Sequence, residues 1–205
     1  MQTYKDLNRI LGNADIYLID QILKGRFEPG MKILDAGCGE GRNLFYFIQN
    51  GFNVAGIDVQ TPAIQMLRFT ARSLNSNFDT SQFVTGKIES LPWPEQHFDV
   101  VICSAVLHFA ESRSHFFTMF AELVRVLKPG GVLFIRMTSD LGLKQQPEKA
   151  DEWRYHLPDG SVRFLLNKKL LQELLTIHNL SNIEPVKTVL VEDQRCMTTL
   201  VLQHA

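Results

Sequence analysis

The chain has 205 residues, long enough for a single domain that buries a full hydrophobic core without disulfides or metals. Hydrophobic residues make up 45% and charged residues 21%, which is an ordinary globular composition. The formal net charge of −1 argues against a nucleic-acid polymer as the main partner, because proteins that bind one usually carry a basic face.

The three cysteines, Cys38, Cys103 and Cys196, are odd in number and far apart, and no Cys-x-x-Cys pair occurs. This usage suggests neither a disulfide framework nor a zinc site, and it favours reduced thiols in a cytosolic protein. The N-terminus has no apolar signal region, and no apolar run approaches membrane-spanning length. We therefore expect a cytoplasmic protein with no membrane segment and no metal.

Hydrophobic spacing, together with glycine and proline breaks, predicts alternating helices and strands over most of the chain. In chain order, we predict a helix over residues 14–24, a strand over 31–34, a helix over 42–50, a strand over 53–57 and a helix over 61–74. The same criteria then predict strands over 82–85, 98–103 and 132–137, with a helix over 114–127 before the last of them.

The rest of the chain changes character. Residues 138–162 lack hydrophobic periodicity and are rich in polar residues, so we expect a long functional or mobile loop. A helix over 167–178, capped by Asn167, follows it. Two strands, 184–191 and 196–203, flank a short polar turn and should pair antiparallel. The alternation indicates a doubly wound α/β fold with a mainly parallel sheet, whose ligands bind at the strands' carboxyl ends.

A turn with three glycines at alternate positions, Gly37, Gly39 and Gly41, follows the first predicted strand. Glycines adopt backbone conformations closed to other residues and let a ligand approach the main chain. Free N–H groups at the start of the next helix face the same place. Asp58 ends the second strand about 20 residues further on, where a bound nucleoside presents its ribose hydroxyls to an acceptor-only carboxylate. The pattern predicts a nucleoside-binding site.

Four ordered motifs resemble those of the class I S-adenosylmethionine-dependent methyltransferases. They are the cofactor loop at residues 35–41, the ribose-binding strand end at 56–59, the adenine loop and fourth strand at 91–94 and 98–101, and the turn before strand five at 123–131. The resemblance covers residues 29–137 and implies a Rossmann-like methyltransferase fold, with a seven-stranded, mainly parallel sheet and a C-terminal antiparallel hairpin. A looser likeness to tellurite-resistance and thiol methyltransferases rests on the Gly-Arg-Asn after the loop and on the small size.

The resemblance implies S-adenosylmethionine as cofactor, bound by residues at the carboxyl edge of the sheet. These are Asp35, Gly37, Cys38, Gly39, Gly41, Arg42, Asp58, Val59, Lys87, Ile88, Glu89 and Ser104. Asp35 is expected beneath the turn, accepting from loop amides or from the cofactor's ammonium. Arg42 is expected to meet the cofactor's carboxylate or to lie exposed. Lys87 departs from the family, because many members carry an acidic acceptor for the adenine amino group there. In place of that acidic residue, backbone groups of Lys87 and Ile88, or the side chain of Glu89, are expected to contact the adenine.

The acceptor side is also inferred from the resemblance. His108 lies where many relatives carry a histidine near the transferred methyl group. As a base near neutral pH it would take a proton from the acceptor, and a packing role is the alternative. Arg136, Trp153 and Tyr155 are expected to line the acceptor pocket. Trp93 is expected either to contact the adenine ring or to pack within the protein.

We interpret residues 1–205 as one methyltransferase domain, with residues 1–28 as an N-terminal helical lid and residues 138–166 as a substrate-side insertion. Met66, Leu67 and Phe69 are expected to belong to the core.

The expected function is methyl transfer from S-adenosylmethionine to a small-molecule acceptor by in-line displacement, without a metal. Two alternatives stay open. One is a regulator that binds S-adenosylmethionine without turnover. The other is an NAD-dependent oxidoreductase, whose glycine fingerprint is mismatched here because it expects a glycine at the position of Arg42.

Overall fold

The computed structural model describes residues 3–143, 147–192 and 194–205. Their helices are α1 (Tyr4–Leu11), α2 (Ile16–Leu23), α3 (Phe45–Gln49), α4 (Thr61–Leu74), α5 (Arg113–Arg125) and α6 (Lys168–Ile177). Their strands are β1 (Lys32–Ala36), β2 (Asn53–Asp58), β3 (Phe83–Thr85), β4 (Phe98–Ser104), β5 (Leu127–Thr138), β6 (Arg154–His156), β7 (Val162–Phe164), β8 (Leu180–Asn182), β9 (Lys187–Val191) and β10 (Arg195–His204). Short 3-10 helices cover Thr80–Gln82, Ile88–Ser90 and Leu107–Phe109.

Eight of the described strands form one sheet in the order β3-β2-β1-β4-β5-β10, with β8 and β9 both paired to the outer side of β10. Strands β1 to β5 are parallel to their neighbours, and β10 is antiparallel to β5. The predicted doubly wound sheet with an antiparallel C-terminal hairpin is confirmed. Eight strands replace the predicted seven because β8 and β9 share the outermost position, with Pro185, which has no N–H to donate, between them.

Hydrophobic clusters cover both faces of the sheet, which explains why its central strands are nearly continuous apolar runs. Along β4, Val101 and Cys103 belong to the cluster that also contains residues of α5 and α6. Val100 and Ile102 face the other way, into the cluster that contains residues of α2, α3 and α4. The strand order reverses between β1 and β4, so the turn after β1 lies at the switch point where such sheets bind ligands.

Several local predictions were wrong. Helix α1 and the small β6–β7 sheet were not predicted, and α3 begins at Phe45 instead of residue 42. Met66 and Phe69 were expected in the core but are 50% and 70% exposed. Helix α4 buries Ile64, Leu67 and Ala71, and Met66 and Phe69 lie off that stripe. Within the described residues, none of the helices is long and apolar enough to cross a membrane.

A buried polar network attaches the N-terminal segment to the carboxyl edge of the sheet. The Asp15 carboxylate caps α2 by accepting from the Tyr17 N–H, and it lies 3.0 Å from Nη1 of Arg136 on β5. It also accepts from the Ser104 hydroxyl at 3.2 Å, and the Asp15 N–H donates to the Asn43 side chain. Because the Asp15 side chain is fully buried, this ion pair is shielded from water.

Replacing Asp15 with Asn should lower the free energy of unfolding by about 1.5–3 kcal/mol, because the Arg136 guanidinium loses its charged partner. Urea unfolding followed by circular dichroism measures this loss. Asp20→Asn is the matched control, since Asp20 pairs with Lys24 and Lys187 at the surface, where ion pairs contribute about 1 kcal/mol or less. Equal losses in the two variants would show that the Asp15 pair does not hold the segment.

Candidate functional site

The turn after β1 is attached to the end of β2 by backbone hydrogen bonds. The N–H groups of Gly37 and Cys38 both donate to the Ile57 carbonyl, at 2.8 and 3.0 Å. The N–H of Gly39 donates to the Asp58 carboxylate at 2.9 Å. The path of the turn is therefore set by the neighbouring strand as well as by its own residues.

The three glycines of the turn all have positive φ, but they serve different purposes. A Cβ on Gly37 would lie 2.3 Å from Cγ2 of Val106, and one on Gly41 would lie 2.2 Å from Cδ1 of Leu67. A Cβ on Gly39 would meet no atom within 4 Å. Packing thus requires two of the glycines, and the third faces open space where a ligand can lie against the backbone.

Asp35 lies beneath this turn and is 1% exposed. Neither carboxylate oxygen has a hydrogen-bond partner among the described residues, so the expected bonds from loop amides are absent there. The pKa of Asp35 is raised to about 7, mainly by burial; the charge of Arg42 opposes the shift, the charge of Asp58 adds to it, and the nearby Asn43 side chain opposes it. A buried carboxylate without a donor is unfavourable, and this one fits the ammonium group expected of the cofactor.

Asp58 lies at the rim of the turn. Its Oδ2 accepts from Gly39 and its Oδ1 accepts from the N–H of Gln60, each at 2.9 Å. An ionised carboxylate offers about four lone-pair positions, so two remain after these bonds. The residue is only partly buried, and its free positions suit the two hydroxyls of a ribose.

The other predicted cofactor residues differ in their surroundings. Cys38 is buried, which raises the pKa of its thiol, so it packs in its protonated form. Arg42 donates to the Asn13 carbonyl at 3.2 Å. Val59 is 64% exposed, so most of the side chain expected to meet the adenosine is open to solvent.

The residues predicted to form the adenine side of the site follow β3. Lys87 is exposed, while Ile88 is buried. The Glu89 carboxylate lies 2.8 Å from Nε2 of His115, so it is already engaged within the chain. Trp93 packs edge-on against Phe98 at the start of β4, which corresponds to the packing alternative.

A cavity of about 280 Å³ lies at the same edge of the sheet, over the ends of β4 and β5. It is lined by Ala105, His108, Phe109, Arg136, Thr138, Leu157, Asp159, Ser161, Arg163, Arg195 and Met197. Ala105 has φ +63°, a left-handed conformation that costs a non-glycine residue about 1–2 kcal/mol, and it directly precedes the Val106 that packs on Gly37. The cavity and the glycine turn therefore share one strand–helix connection.

His108 is 6% exposed in this cavity, and its Nδ1 has no partner among the described residues. Burial lowers the pKa of His108 to about 4, and the positive charges of Arg163 and Arg195 contribute to this shift. The imidazole is therefore neutral at physiological pH and is a much weaker base than the sequence suggests.

Arg136 lines this cavity, whereas Trp153 and Tyr155 are not among its lining residues. The Trp153 ring stacks with Phe164 at 6.1 Å and lies 5.5 Å from the Arg113 guanidinium. Tyr155 pairs with Arg163 across the β6–β7 sheet. Their predicted contact with an acceptor stays untested.

Sequence reasoning missed Asp15, Asn43, Arg163 and Arg195. Asp15 had a signal, because an aspartate directly before an apolar helix is a typical N-cap. The two arginines had none, since single charged residues in a polar loop and a hairpin turn resemble ordinary solvated side chains.

A larger cavity of about 470 Å³ lies at the opposite edge, near the amino ends of β1, β2 and β4. Its lining includes Lys32, Asn53 and Phe98, and it contains none of the predicted site residues. Parallel α/β sheets bind ligands at the carboxyl ends of their strands, so we assign the functional site to the smaller cavity.

Replacing Asp35 with Asn should stabilise the ligand-free protein by up to about 4 kcal/mol at about pH 8, because the folded state then no longer has to ionise a carboxyl group whose pKa is raised. Since the pKa of Asp35 is raised on folding, the folded state holds this proton more tightly between about pH 4 and 7, and the wild type loses stability as pH rises through that range. Urea unfolding at about pH 5.5 and about pH 8 measures the difference.

The gain in the free energy of unfolding from Asp35→Asn should be smaller at the lower pH. Asp79→Asn is the control, because its carboxylate accepts from Ser81, which lowers its pKa, and its replacement should not stabilise the protein at either pH. An advantage of Asp35→Asn that does not depend on pH would contradict the assignment.

Comparison with known proteins agrees with this geometry. Residues 34–135, about half of the chain, match the family model described as a methyltransferase domain. An uncharacterized methyltransferase of Synechocystis sp. is 34% identical over 104 residues, which are 51% of this chain and 45% of that protein. The chain spans about half, or less, of the length of the curated relatives it matches.

Solved structures share the fold. A SAM-dependent methyltransferase of Methanosarcina mazei superposes with a TM-score of 0.71 at 24% identity, covering 89% of this chain and 96% of that one. The 1,6-didemethyltoxoflavin-N1-methyltransferase of Burkholderia thailandensis superposes with a TM-score of 0.69 at 19% identity, covering 96% of this chain and 78% of that one. The glycine turn, Asp58 and β4 all lie inside the matched family region, and the chain belongs to the class I S-adenosylmethionine-dependent methyltransferases.

Proposed function

We propose that this protein transfers a methyl group from S-adenosylmethionine to a small-molecule acceptor. The observation that carries the proposal is that the glycine turn and a cavity lie next to each other at one edge of the sheet. A turn with an unpartnered buried carboxylate, Asp35, lies beside a partly open cavity of about 280 Å³. Val106 packs on the turn and Ala105 lines the cavity, so ligands in the two spaces would be neighbours.

The turn would hold the cofactor through its own residues. Asp35 would accept from the ammonium group, the open space at Gly39 would admit the methionine half, and Asp58 would accept from the ribose hydroxyls. The other residues that would line the cofactor site are Gly37, Cys38, Gly41, Arg42, Val59, Lys87, Ile88, Glu89 and Ser104. Glu89 would have to leave His115 to reach an adenine, so backbone groups of Lys87 and Ile88 are the better candidates.

When bound, the cofactor supplies a methyl group on a sulfonium, which is already reactive toward a nucleophile. The protein then needs mainly to align the acceptor and to exclude water, and alignment alone contributes up to about 7–11 kcal/mol in favourable models. His108, neutral and buried, would accept a hydrogen bond from the acceptor and orient it. Its low pKa makes proton removal by His108 a smaller contribution than alignment.

A small acceptor is favoured over a polymer by the volume of the cavity, about 280 Å³. The Burkholderia thailandensis structure is described with bound 1,6-didemethyltoxoflavin and S-adenosylhomocysteine, which is a small acceptor on the same fold. Residues 1–28 would act as a lid and residues 138–166 as the acceptor-side wall of the domain. The three free, buried cysteines support a cytoplasmic location.

Two alternatives are outcomes of the same experiments. A regulator would bind S-adenosylmethionine without turnover against a broad panel of acceptors, and an oxidoreductase would be stabilised by NAD instead. The narrower likeness to tellurite-resistance and thiol methyltransferases stays a prediction.

Replacing Asp58 with Asn should weaken S-adenosylhomocysteine binding at least about tenfold, because a charged acceptor of two hydroxyls is lost. Isothermal titration calorimetry measures the affinity, and a thermal-shift titration with NAD serves as the counter-test. Asp79→Asn is the matched control, since Asp79, like Asp58, accepts from the backbone two residues later but lies away from the site. Stabilisation by NAD alone, or unchanged affinity in Asp58→Asn, would refute the proposal.

Replacing Gly39 with Ala should leave the protein folded, with a cost of about 1–2 kcal/mol from its positive φ, but should abolish S-adenosylhomocysteine binding by filling the open space. Gly41→Ala should instead destabilise the fold more strongly, because its Cβ would overlap Leu67. Thermal unfolding and calorimetric titration separate the two effects. Normal ligand affinity in Gly39→Ala would place the cofactor elsewhere.

A further inference from the structure

The acceptor cavity carries an excess of positive charge. Among its described lining residues are three guanidinium groups, from Arg136, Arg163 and Arg195, and one carboxylate, from Asp159. Arginine stays protonated at all physiological pH values. We propose that the acceptor carries an anionic group, a carboxylate or a phosphate, and that Arg163 and Arg195 hold it; this inference rests on the methyltransferase function proposed above.

Arg136 is not available for this task, because its charge is already matched. Its Nη1 lies 3.0 Å from the fully buried carboxylate of Asp15. The Tyr17 ring lies 5.8 Å from the same guanidinium and covers it on the side of the N-terminal segment. Arg136 therefore closes the wall of the cavity, and the other two arginines have only the Asp159 carboxylate between them.

Arg163 and Arg195 share a single weakly engaged carboxylate. Nη1 of Arg195 is 3.5 Å from Oδ2 of Asp159, too far for a strong hydrogen bond, and Oδ1 of Asp159 is taken by the N–H and hydroxyl of Ser161. Arg163 donates to the Val162 carbonyl at 2.8 Å and lies over a phenylalanine ring of the cavity at 4.7 Å. Neither contact neutralises its charge.

The two arginines have different exposures that suit the capture of an anion from solution. The Arg195 side chain is 51% exposed, so it lies at the mouth of the cavity. Arg163, on β7, is partly buried further along the same lining. Guanidinium groups match the planar, two-oxygen geometry of carboxylates and phosphates, which makes such an anion the fitting ligand.

His108 provides a second, independent sign that a ligand belongs here. His108 lines the cavity and is only 6% exposed. Its Nδ1 has no hydrogen-bond partner among the described residues. Arg163 and Arg195 are the charges that help to lower its pKa. An anion between the arginines would offset their field and raise the pKa of His108 toward its usual value.

The test uses benzoate, its neutral analogue benzamide, and inorganic phosphate as probes, titrated by calorimetry into the protein saturated with S-adenosylhomocysteine. At least one anion should bind at least about tenfold more tightly than benzamide, and Arg163→Gln or Arg195→Gln should each remove most of that preference. Arg154→Gln is the matched control, because Arg154 lies on the paired strand β6 but does not line the cavity. Tighter binding of benzoate would identify a carboxylate acceptor, and tighter binding of phosphate a phosphorylated one.

Two readouts separate this inference from the function on which it rests. The affinity for S-adenosylhomocysteine should be unchanged in all three arginine variants. If the wild type does not bind S-adenosylhomocysteine, the methyltransferase proposal itself is refuted. The pKa of His108, followed by NMR, should rise on anion binding in the wild type but not in Arg163→Gln. If S-adenosylhomocysteine binds and neither anion is preferred over benzamide, the anionic acceptor is refuted while the methyltransferase proposal stands.

Discussion

The whole site depends on the way the end of β2 holds the turn after β1. One carbonyl, that of Ile57, accepts from two successive amides of the turn, and the next residue, Asp58, accepts from a third with its side chain. Because the two strands are paired in parallel, the glycine turn and the Asp58 carboxylate reach the same edge at the same height. A residue that anchors the turn in this way is also positioned to hold a sugar.

A second constraint runs from the N-terminal segment to β5. The buried pair between Asp15 and Arg136 fixes α2 at the carboxyl edge and at the same time neutralises one of the three arginines that line the neighbouring cavity. Structure and specificity are thus coupled, since the contact that attaches the N-terminal segment decides which charges remain for a ligand. The cavity keeps Arg163 and Arg195, which come from β7 and β10.

The surroundings of the buried groups at the site shift their pKa values away from the usual values of these side chains. Asp35 has a raised pKa because burial disfavours its charge and a second carboxylate lies nearby, whereas His108 has a lowered pKa because burial and two arginines disfavour its cation. Each shift would be relieved by a ligand of the opposite charge. The turn is therefore suited to a cation and the cavity to an anion.

The sequence alone determined the doubly wound fold, the glycine turn and the carboxylate at the end of the second strand, because these depend on hydrophobic periodicity, glycine spacing and the distance to the next strand end, all of which are local. It also placed His108 and Arg136 at the same edge. Only the tertiary structure decided that Trp153 packs against Phe164, and that Arg163 and Arg195 converge on His108. Those contacts join residues far apart in the chain through the β6–β7 pairing and the antiparallel register of β10, which no short-range pattern specifies.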